Sequence, residues 1–167
     1  MPPELRRSRP RHVAGLAART TNAAEANPAT GKIPQLWGQF RNDKWFDRLA
    51  QAGAVGPPIG VYSAYESDVS GSYQILVGRE VRTPSPLSPP LQIVSVPEGR
   101  YLVFRRSGPL PQVVIDGWQE AWEYFARSDA PARAYTFDFE INLDATSVEI
   151  WVAVRDTHDA IRDRRSR

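Results

Sequence analysis

Two carboxylates on one short segment, Asp138 and Glu140, are the side chains of this sequence whose spacing could support chemistry. Residues 135–141 (YTFDFEI) alternate strictly between apolar and polar side chains, which predicts a strand. Because they are two residues apart, both acids point to the same face, where they could share a proton. On a half-exposed antiparallel strand the same pattern describes two solvated acids. From the residues alone both interpretations stay open, and the solvated pair is the simpler one.

Other reactive constellations find little support in the sequence. The absence of cysteine excludes a disulfide scaffold, a thiolate-ligated zinc site and a cysteine nucleophile. The two histidines, His12 and His158, lie near the ends of the chain, which argues against a Ser-His-Asp triad or a histidine-rich metal site. A phosphate-binding loop at TGK (30–32) lacks its upstream glycine, which is Ala26, and its final Ser or Thr, which is Ile33. We therefore predict no cofactor and no metal.

Length and composition indicate one globular domain. The 167 residues are 41% hydrophobic and 24% charged, and their five Trp, six Tyr and six Phe can supply both a core and a site. No apolar segment approaches the length of a membrane-spanning helix, and no signal-peptide core precedes the first element. We therefore expect a soluble, cytoplasmic protein with no membrane contact.

The positive charge of the chain lies at its ends. Eight of the 21 Lys and Arg residues fall in 1–11 and 156–167, together with four of the 19 Asp and Glu residues. The body between them carries more acids than bases, whereas a nucleic-acid-binding face concentrates Lys and Arg on ordered elements. We predict flexible, charged tails over 1–11 and 156–167 and no direct nucleic-acid binding by the folded body.

The first half of the chain predicts a strand, a helix and a hairpin. Residues 12–20 (HVAGLAART) suit a first strand, and Thr30 could cap a helix that runs to about Gln51. Two strands at 59–65 and 73–81 then flank a polar turn that contains a glycine. The apolar residues on one face of the predicted helix are Ile33, Leu36, Trp37 and Phe40.

A proline-rich connector at 83–90 (TPSPLSPP) separates this half from a second one of the same order. A second helix is expected from Pro109 onward. One face of this helix carries Ile115, Trp118, Trp122 and Phe125. The strands of this half are expected at 91–96, 100–106, 135–141 and 148–154.

The repeated order predicts an internal duplication, because each half consists of strand, helix, strand and strand. Two such halves give an α+β fold with one antiparallel sheet and two helices on one face. We expect a single domain over 12–155, with a first unit at 12–82 and a second unit at 91–155.

Several segments carry a family resemblance. In the first half they are KIPQLWGQF (32–40) and IGVYSAYESDVSGSYQILVGREV (59–81). In the second half they are VPEGRYLVFRRSGPL (96–110), a helix with a tryptophan, and YTFDFE (135–140). Their order and spacing resemble the GyrI-like family, which includes the effector-binding domains of AraC- and MerR-type regulators and stand-alone proteins of integron cassettes. The resemblance covers 12–155 and implies a ligand cleft between the two units.

The resemblance also implies a site. An acidic residue in the penultimate strand of the family, here Glu140, faces aromatic, cationic drugs or dyes among aromatic side chains. Many relatives carry Tyr two residues later, where this chain has Asn142, so one ring of the expected cage is missing. The helical rings could equally serve to pack the helices on the sheet. The ligand-binding residues predicted from the resemblance and from their neighbours one helical turn away are Glu140, Trp37, Phe40, Tyr62, Trp118 and Trp122.

A carboxylate enclosed by rings has a defined ligand preference. Burial removes its solvation and raises its pKa unless a positive partner arrives. A cationic ligand supplies that partner, and Trp and Tyr faces attract it by roughly 0.5–2 kcal/mol per good contact. The predicted function is therefore a binding protein for aromatic, cationic small molecules that acts as a sensor or sequesters them.

Two other functions stay open. Some GyrI-like relatives hydrolyse cyclopropane-bearing DNA-alkylating compounds, and by that resemblance Glu140 would activate or position water. Alternatively, the fold is a protein-interaction module that engages DNA gyrase or a transcription regulator. The eleven residues before the first predicted strand cannot hold a helix-turn-helix, so a sensor would report through a partner chain. A homodimer is a further alternative.

Overall fold

The structure, a computed structural model, describes residues 2–156. Its strands are β1 (Glu4–Ser8), β2 (Arg11–Thr21), β3 (Ala54–Ser63), β4 (Ser72–Val81), β5 (Gln92–Val96), β6 (Gly99–Ser107), β7 (Asp138–Asp144) and β8 (Ser147–Ala153). Its helices are α1 (Asn22–Glu25), α2 (Ile33–Asn42), α3 (Trp45–Gln51) and α4 (Gln112–Phe125). All eight strands form one antiparallel sheet in the order β1-β6-β8-β7-β3-β4-β2-β5. This confirms the predicted α+β fold with a single antiparallel sheet.

The two halves of the sheet have the same topology and exchange one strand each. In the first half β2, β4 and β3 lie side by side, and in the second half β6, β8 and β7 do, with β3 paired to β7 at the join. Strand β1, which precedes β2 in the chain, pairs with β6 of the second half. Strand β5, which precedes β6, pairs with β2 of the first half. The registers correspond, because Ser8 lies opposite Gly99 and Val96 lies opposite Arg11. Each half therefore completes its sheet with a strand from the other half.

The helices cover one face of the sheet. Helices α2 and α3 pack on strands of the first half, and α4 packs on β6 and β8. Alternate strand residues point to this face because side chains in a strand have a period of two. Among the residues of this cluster are Leu36, Phe40, Tyr62, Ile75, Phe104, Trp118 and Ile150.

The opposite face of the curled sheet forms a second apolar cluster. It joins residues of both halves, among them Val13, Val61, Leu76, Tyr101, Phe139 and Trp151. Phe139 stacks on Trp151 with ring centroids 5.2 Å apart, and Tyr101 approaches Phe139 edge-on at 5.1 Å. Because both faces are packed, Phe139 and Glu140 of β7 are both buried although they point to opposite faces of the sheet.

The single helix predicted from Thr30 to Gln51 is wrong, because the chain forms two helices there. Lys44 adopts a left-handed conformation with φ 55° between α2 and α3. Leu36 and Phe40 face the core on α2, and a straight continuation would next bury Asp43 and Lys44. The turn re-aims the chain so that the buried residues of α3 are Trp45 and Leu49. Thr30 is not the cap of α2, whose N-cap is Lys32.

The flexible tail predicted for 1–11 is wrong over residues 4–8, which form β1 at the edge of the sheet. The segment ELRRS has a single large apolar residue, so its pattern carries no strand signal. Its pairing with β6 is supported by Arg6, whose guanidinium lies 4.7 Å from the centre of the Trp151 ring and 3.5 Å from Glu149. Of the predicted C-terminal tail, residues 157–167 lie outside the described residues.

Smaller boundary errors have local causes. The second predicted helix begins at Gln112 instead of Pro109, with Pro111 as its N-cap. Strand β7 begins at Asp138, because Tyr135 has a positive φ of 52° that ends the extended run. The short helix α1 was missed; its N-terminus is capped by the Thr21 hydroxyl, which accepts from the backbone N–H of Ala24. Within residues 2–156, none of the helices has the length and apolar character needed to cross a membrane.

Candidate functional site

Glu140 lies at the centre of the sheet and is almost fully enclosed. It is on β7, directly opposite Gly60 of β3, at the join between the two halves. Its relative exposure is 1%, and that of Asp138 is 0%. The interpretation of these two residues as a solvated pair of acids is therefore wrong. The face on which they lie is the one that also carries the helices.

Two side chains from different elements donate hydrogen bonds to the same oxygen of Glu140. The Tyr62 hydroxyl on β3 donates to Oε2 at 3.0 Å, and the Trp118 indole Nε1 on α4 donates at 2.6 Å. The two rings meet edge-on, with centroids 4.8 Å apart. Within residues 2–156, Glu140 forms no ion pair with Arg, Lys or His. The arrangement is an aromatic enclosure around a carboxyl group without a counter-charge.

The pKa of the Glu140 carboxyl group reflects this enclosure. Burial raises the pKa to about 7, although the hydrogen bonds from Trp118 and Tyr62 act in the opposite direction. Burial and the neighbouring Glu140 also raise the pKa of Tyr62 well above its ordinary value, so this hydroxyl stays a donor. Near neutral pH the carboxyl group is therefore close to half ionised, and a cation placed beside it would favour the ionised form.

Asp138 is neutralised by partners that Glu140 lacks. Its Oδ2 accepts from Arg133 Nη2 at 2.8 Å and from the Tyr65 hydroxyl at 2.5 Å, and its Oδ1 accepts from the backbone N–H of Ala153 at 2.8 Å. The two acids thus separate into a paired, structural group and an unpaired group. Arg133 was missed at the sequence level because it lies in the irregular segment before β7, where no periodicity predicts contacts.

Gly60 provides the space that Glu140 occupies. A Cβ atom at this position would lie 3.0 Å from Oε1, 3.2 Å from Cγ and 3.3 Å from Cδ of Glu140. The carboxyl group therefore lies directly over a strand position without a side chain, where a glycine permits close approach.

We expect Gly60→Ala to displace the Glu140 side chain and to lower the free energy of unfolding by about 1–3 kcal/mol through overpacking. The displacement should also change near-UV circular dichroism, since Trp118 loses its acceptor. Urea unfolding and near-UV spectra measure both effects. Gly38→Ala on α2 is the matched control, since a Cβ atom there meets nothing within 4 Å and alanine favours a helix. Equal stability and equal spectra for the two variants would contradict the role of Gly60.

The predicted ligand-binding residues divide into two groups. The structure brings Glu140, Tyr62 and Trp118 together. Trp122 lies next to Trp118 at 6.4 Å between ring centroids and is 45% exposed.

Trp37 and Phe40 lie on α2 over the first half, edge-on to each other at 5.7 Å. Phe40 is buried in the core beneath α2, and Trp37 is half-buried beside it. Among the described residues the side chains that donate to Glu140 are Tyr62 and Trp118, and Trp37 is not one of them, so contact of Trp37 and Phe40 with a ligand stays a prediction.

Tyr73 is a ring of the site that the sequence analysis missed. Its ring centroid is 5.7 Å from that of Tyr62 and 5.8 Å from that of Tyr65, which in turn meets Tyr135 at 5.7 Å. Burial, together with Glu25 and Glu140, raises the pKa of Tyr73. The hairpin register could have indicated this residue, because Tyr62 pairs with Ile75 and Tyr73 is its diagonal neighbour on the same face.

A metal centre finds no support in the described part of the chain. Residues 2–156 contain no group of three or more His, Asp or Glu side chains placed to hold a metal ion.

Comparisons with known proteins agree with the fold. A family model described as integron-associated effector binding protein matches residues 5–154. YobU, a candidate transcriptional regulator of Bacillus subtilis (strain 168), is 33% identical over 149 residues, which are 85% of this chain and 91% of the relative.

Two solved structures have the same architecture. An integron cassette protein from the mobile metagenome of Vibrio cholerae has a TM-score of 0.79 and 38% sequence identity. The match covers 92% of this chain and 96% of the cassette protein. The protein SAV2435, solved bound to tetraphenylphosphonium, has a TM-score of 0.74 and 18% identity, over 95% of this chain and 97% of its own. At that identity the second likeness shows the fold alone.

Proposed function

The chain belongs to the family of integron-associated effector-binding proteins, and from this premise we propose that it binds aromatic cations between Glu140, Tyr62 and Trp118. One observation carries the proposal: the carboxyl group of Glu140 is buried among rings, no Lys, Arg or His of residues 2–156 forms an ion pair with it, and burial raises its pKa to about 7. A buried carboxylate without a cation is costly, so a ligand that supplies one gains charge–charge attraction that water does not compete for.

The rings favour the same ligand class. Tyr62 and Trp118 direct their donor edges at Glu140 in the ligand-free protein. A ligand that displaces these hydrogen bonds can meet the ring faces, which attract a cation by about 0.5–2 kcal/mol per contact and also stack on flat apolar groups. Tetraphenylphosphonium, the compound with which the fold neighbour SAV2435 was solved, is an aromatic cation of this type. Trp122, which is partly exposed beside Trp118, lies where an entering ligand would first meet a ring.

A closed site must open to admit a ligand. Trp118 and Tyr62 cover the carboxyl group, so binding exchanges their hydrogen bonds to Oε2 for contacts with the cation. The movement of α4 or of its Trp118 side chain would then report the ligand to a partner chain. A sensing role of this kind fits the naming of the relative YobU as a candidate regulator, whereas sequestration requires no partner.

The test is a titration of intrinsic Trp fluorescence with tetraphenylphosphonium at about pH 6 and about pH 8. We expect saturable quenching at both values and an affinity about tenfold higher at the upper one, since a carboxyl group with a pKa of about 7 is mostly protonated at the lower pH and mostly ionised at the upper. The cation binds the ionised form, so its affinity rises as pH rises through the pKa of Glu140.

Triphenylphosphine oxide is the matched probe for this titration, since it keeps three phenyl rings and carries no net charge. Its affinity should not rise between the two pH values. Absence of saturable quenching by tetraphenylphosphonium would remove the proposed function. An equal affinity for tetraphenylphosphonium at both pH values would show that the cation does not bind at Glu140.

A further inference from the structure

A groove of about 510 Å³ lies at the end of β7, where two neighbouring strands lose their regular pairing. The register of β3 shifts between Val55 and Ile59, and the register of β7 shifts between Asn142 and Asp144. Irregular pairing of this kind is enriched beside binding sites because it re-aims side chains and opens a sheet. The walls of the groove are largely apolar and include Phe46, Pro57, Pro58 and Leu110.

Asn142 is one of the residues that line this groove. The residue is 9% exposed, and its side-chain Oδ1 is buried with no hydrogen-bond partner among residues 2–156. Nearly all buried polar side chains in folded proteins have a partner, so an orphaned amide beside an open groove points to a group that enters from outside. An amide presents an acceptor and two donors, so a primary amide or a hydroxyl group on a ligand would satisfy it whichever way it is oriented.

Asn142 is placed to act together with Glu140. The two residues lie on the same face of β7, two positions apart, which is roughly 6–7 Å at the usual rise of a strand. A ligand whose cation lies at Glu140 could therefore extend one substituent along β7 into the groove. The apolar walls would surround the body of that substituent and leave its polar end to Asn142.

We propose that Asn142 and the groove form the second part of the ligand site, and that they select aromatic cations which carry a hydrogen-bonding substituent about one ring away from the charge. The inference rests on the proposed function, because it uses Glu140 as the position of the cation. It adds a specificity-determining residue and narrows the ligand class from aromatic cations in general to those with an amide or a hydroxyl group at this distance.

The test compares two probes that differ only in the proposed group: benzyltriphenylphosphonium and (4-carbamoylbenzyl)triphenylphosphonium. The readout is the ratio of their dissociation constants within each variant. We expect the wild type to prefer the carbamoyl probe about tenfold, which corresponds to about 1.4 kcal/mol and to one net hydrogen bond. In Asn142→Leu the ratio should fall to about one, because the groove then offers no polar partner.

Asn42→Leu is the matched control, since it removes an exposed asparagine at the end of α2, outside the groove, and should retain the preference. A second measurement uses the wild type alone, so it does not depend on whether the Asn142 variant folds. The side-chain amide resonances of Asn142 in a nitrogen–proton correlation spectrum should shift further with the carbamoyl probe than with the parent.

The outcomes separate the two proposals. If the wild type binds the parent probe but shows no preference, or if the preference persists in Asn142→Leu, the selecting role of Asn142 is overturned and the cation site stands. If neither probe binds the wild type, the proposed function fails and this inference fails with it.

Discussion

Replacing Arg133 with methionine is expected to lower the free energy of unfolding by about 3–5 kcal/mol, because it leaves a buried charge without its partner. Arg133 Nη2 lies 2.8 Å from Asp138 Oδ2, and the side chains are 8% and 0% exposed. Methionine keeps much of the length and the apolar contacts of arginine but removes the positive charge. Urea unfolding at neutral pH, followed by far-UV circular dichroism, measures the loss.

The matched control is Arg127→Met, which breaks an ion pair of the same length on the surface. Arg127 and Asp129 are 2.8 Å apart, with side chains 58% and 69% exposed. Surface pairs of this kind contribute little to stability because water screens the charges, so this variant should be nearly as stable as the wild type.

The double variant Arg133→Met with Asp138→Asn should regain part of the loss, because the uncompensated charge is gone. If Arg133→Met and Arg127→Met lower stability equally, Asp138 is not held by Arg133 in the way that the distances indicate.

The order of elements could be predicted from the sequence because most of them carry a strong periodic signal. The alternation in β8 and the helical spacing of Trp118 and Trp122 on α4 each specify an element without reference to the rest of the chain. The duplication followed from that order. Where the local signal is weak, as in β1, the prediction was wrong, because this strand is defined by its partner β6 and not by its own pattern.

The sequence patterns do not predict which distant strands pair with one another. Strands β1 and β5 are exchanged between the halves, and nothing in a local pattern states which of several edges a short strand will join. The same limitation affected the break between α2 and α3. That break follows from the side of the helix that must be buried, because a straight continuation of α2 would place Asp43 and Lys44 against the core, whereas the turn leaves both residues exposed.

Burial of the acids on β7 depends on a property of the whole fold. The alternation of β7 predicts one polar face, and on most antiparallel strands that face is solvated. Here β7 lies at the centre of a sheet that is packed on both faces, so its polar face is buried as well. Family resemblance indicated Glu140, whereas the contrast between Glu140 and Asp138 required the contacts of Arg133 and Tyr65.

The contrast between these two acids separates a structural role from the proposed binding role. Both carboxyl groups lie on one face of β7 and are equally buried. Asp138 is paired with the cationic Arg133, whereas within residues 2–156 the side chains that donate to Glu140 are the neutral Tyr62 and Trp118, and the pKa of Glu140 is raised. A ligand cation would therefore supply Glu140 with the positive partner that Arg133 already supplies to Asp138.

Glu140→Gln is expected to weaken binding of tetraphenylphosphonium at about pH 8 by at least tenfold, which is about 1.4 kcal/mol. Glutamine keeps an oxygen that can accept from Tyr62 and Trp118, so the rings should stay in place while the negative charge is lost. Residual affinity should come from ring stacking and cation–π contacts. Fluorescence titration of both proteins measures the difference, and it should shrink at about pH 6, where most of the wild-type carboxyl groups are protonated.

The same substitution should make the ligand-free protein more stable at high pH, and this opposite effect is what identifies Glu140 as a binding group. The folded state raises the pKa of Glu140 from 4.5 to about 7, so folding favours the protonated form. The free energy of unfolding of the wild type should therefore fall as pH rises from about 4.5 to about 7 and then level off, a loss of about 3 kcal/mol at 1.36 kcal/mol per pKa unit. Glu140→Gln cannot ionise and should lack this loss, so it should match the wild type below the window and exceed it above.

Glu98→Gln, in the exposed turn between β5 and β6, is the matched control and should change neither binding nor the pH dependence of stability. Lower stability of Glu140→Gln at high pH would show that the carboxylate anchors the fold through Tyr62 and Trp118. Unchanged affinity in the same variant would place the cation elsewhere in the protein. Gain of stability together with loss of affinity is the combination expected of a charge that is kept buried, at a cost to the free protein, because a ligand neutralises it.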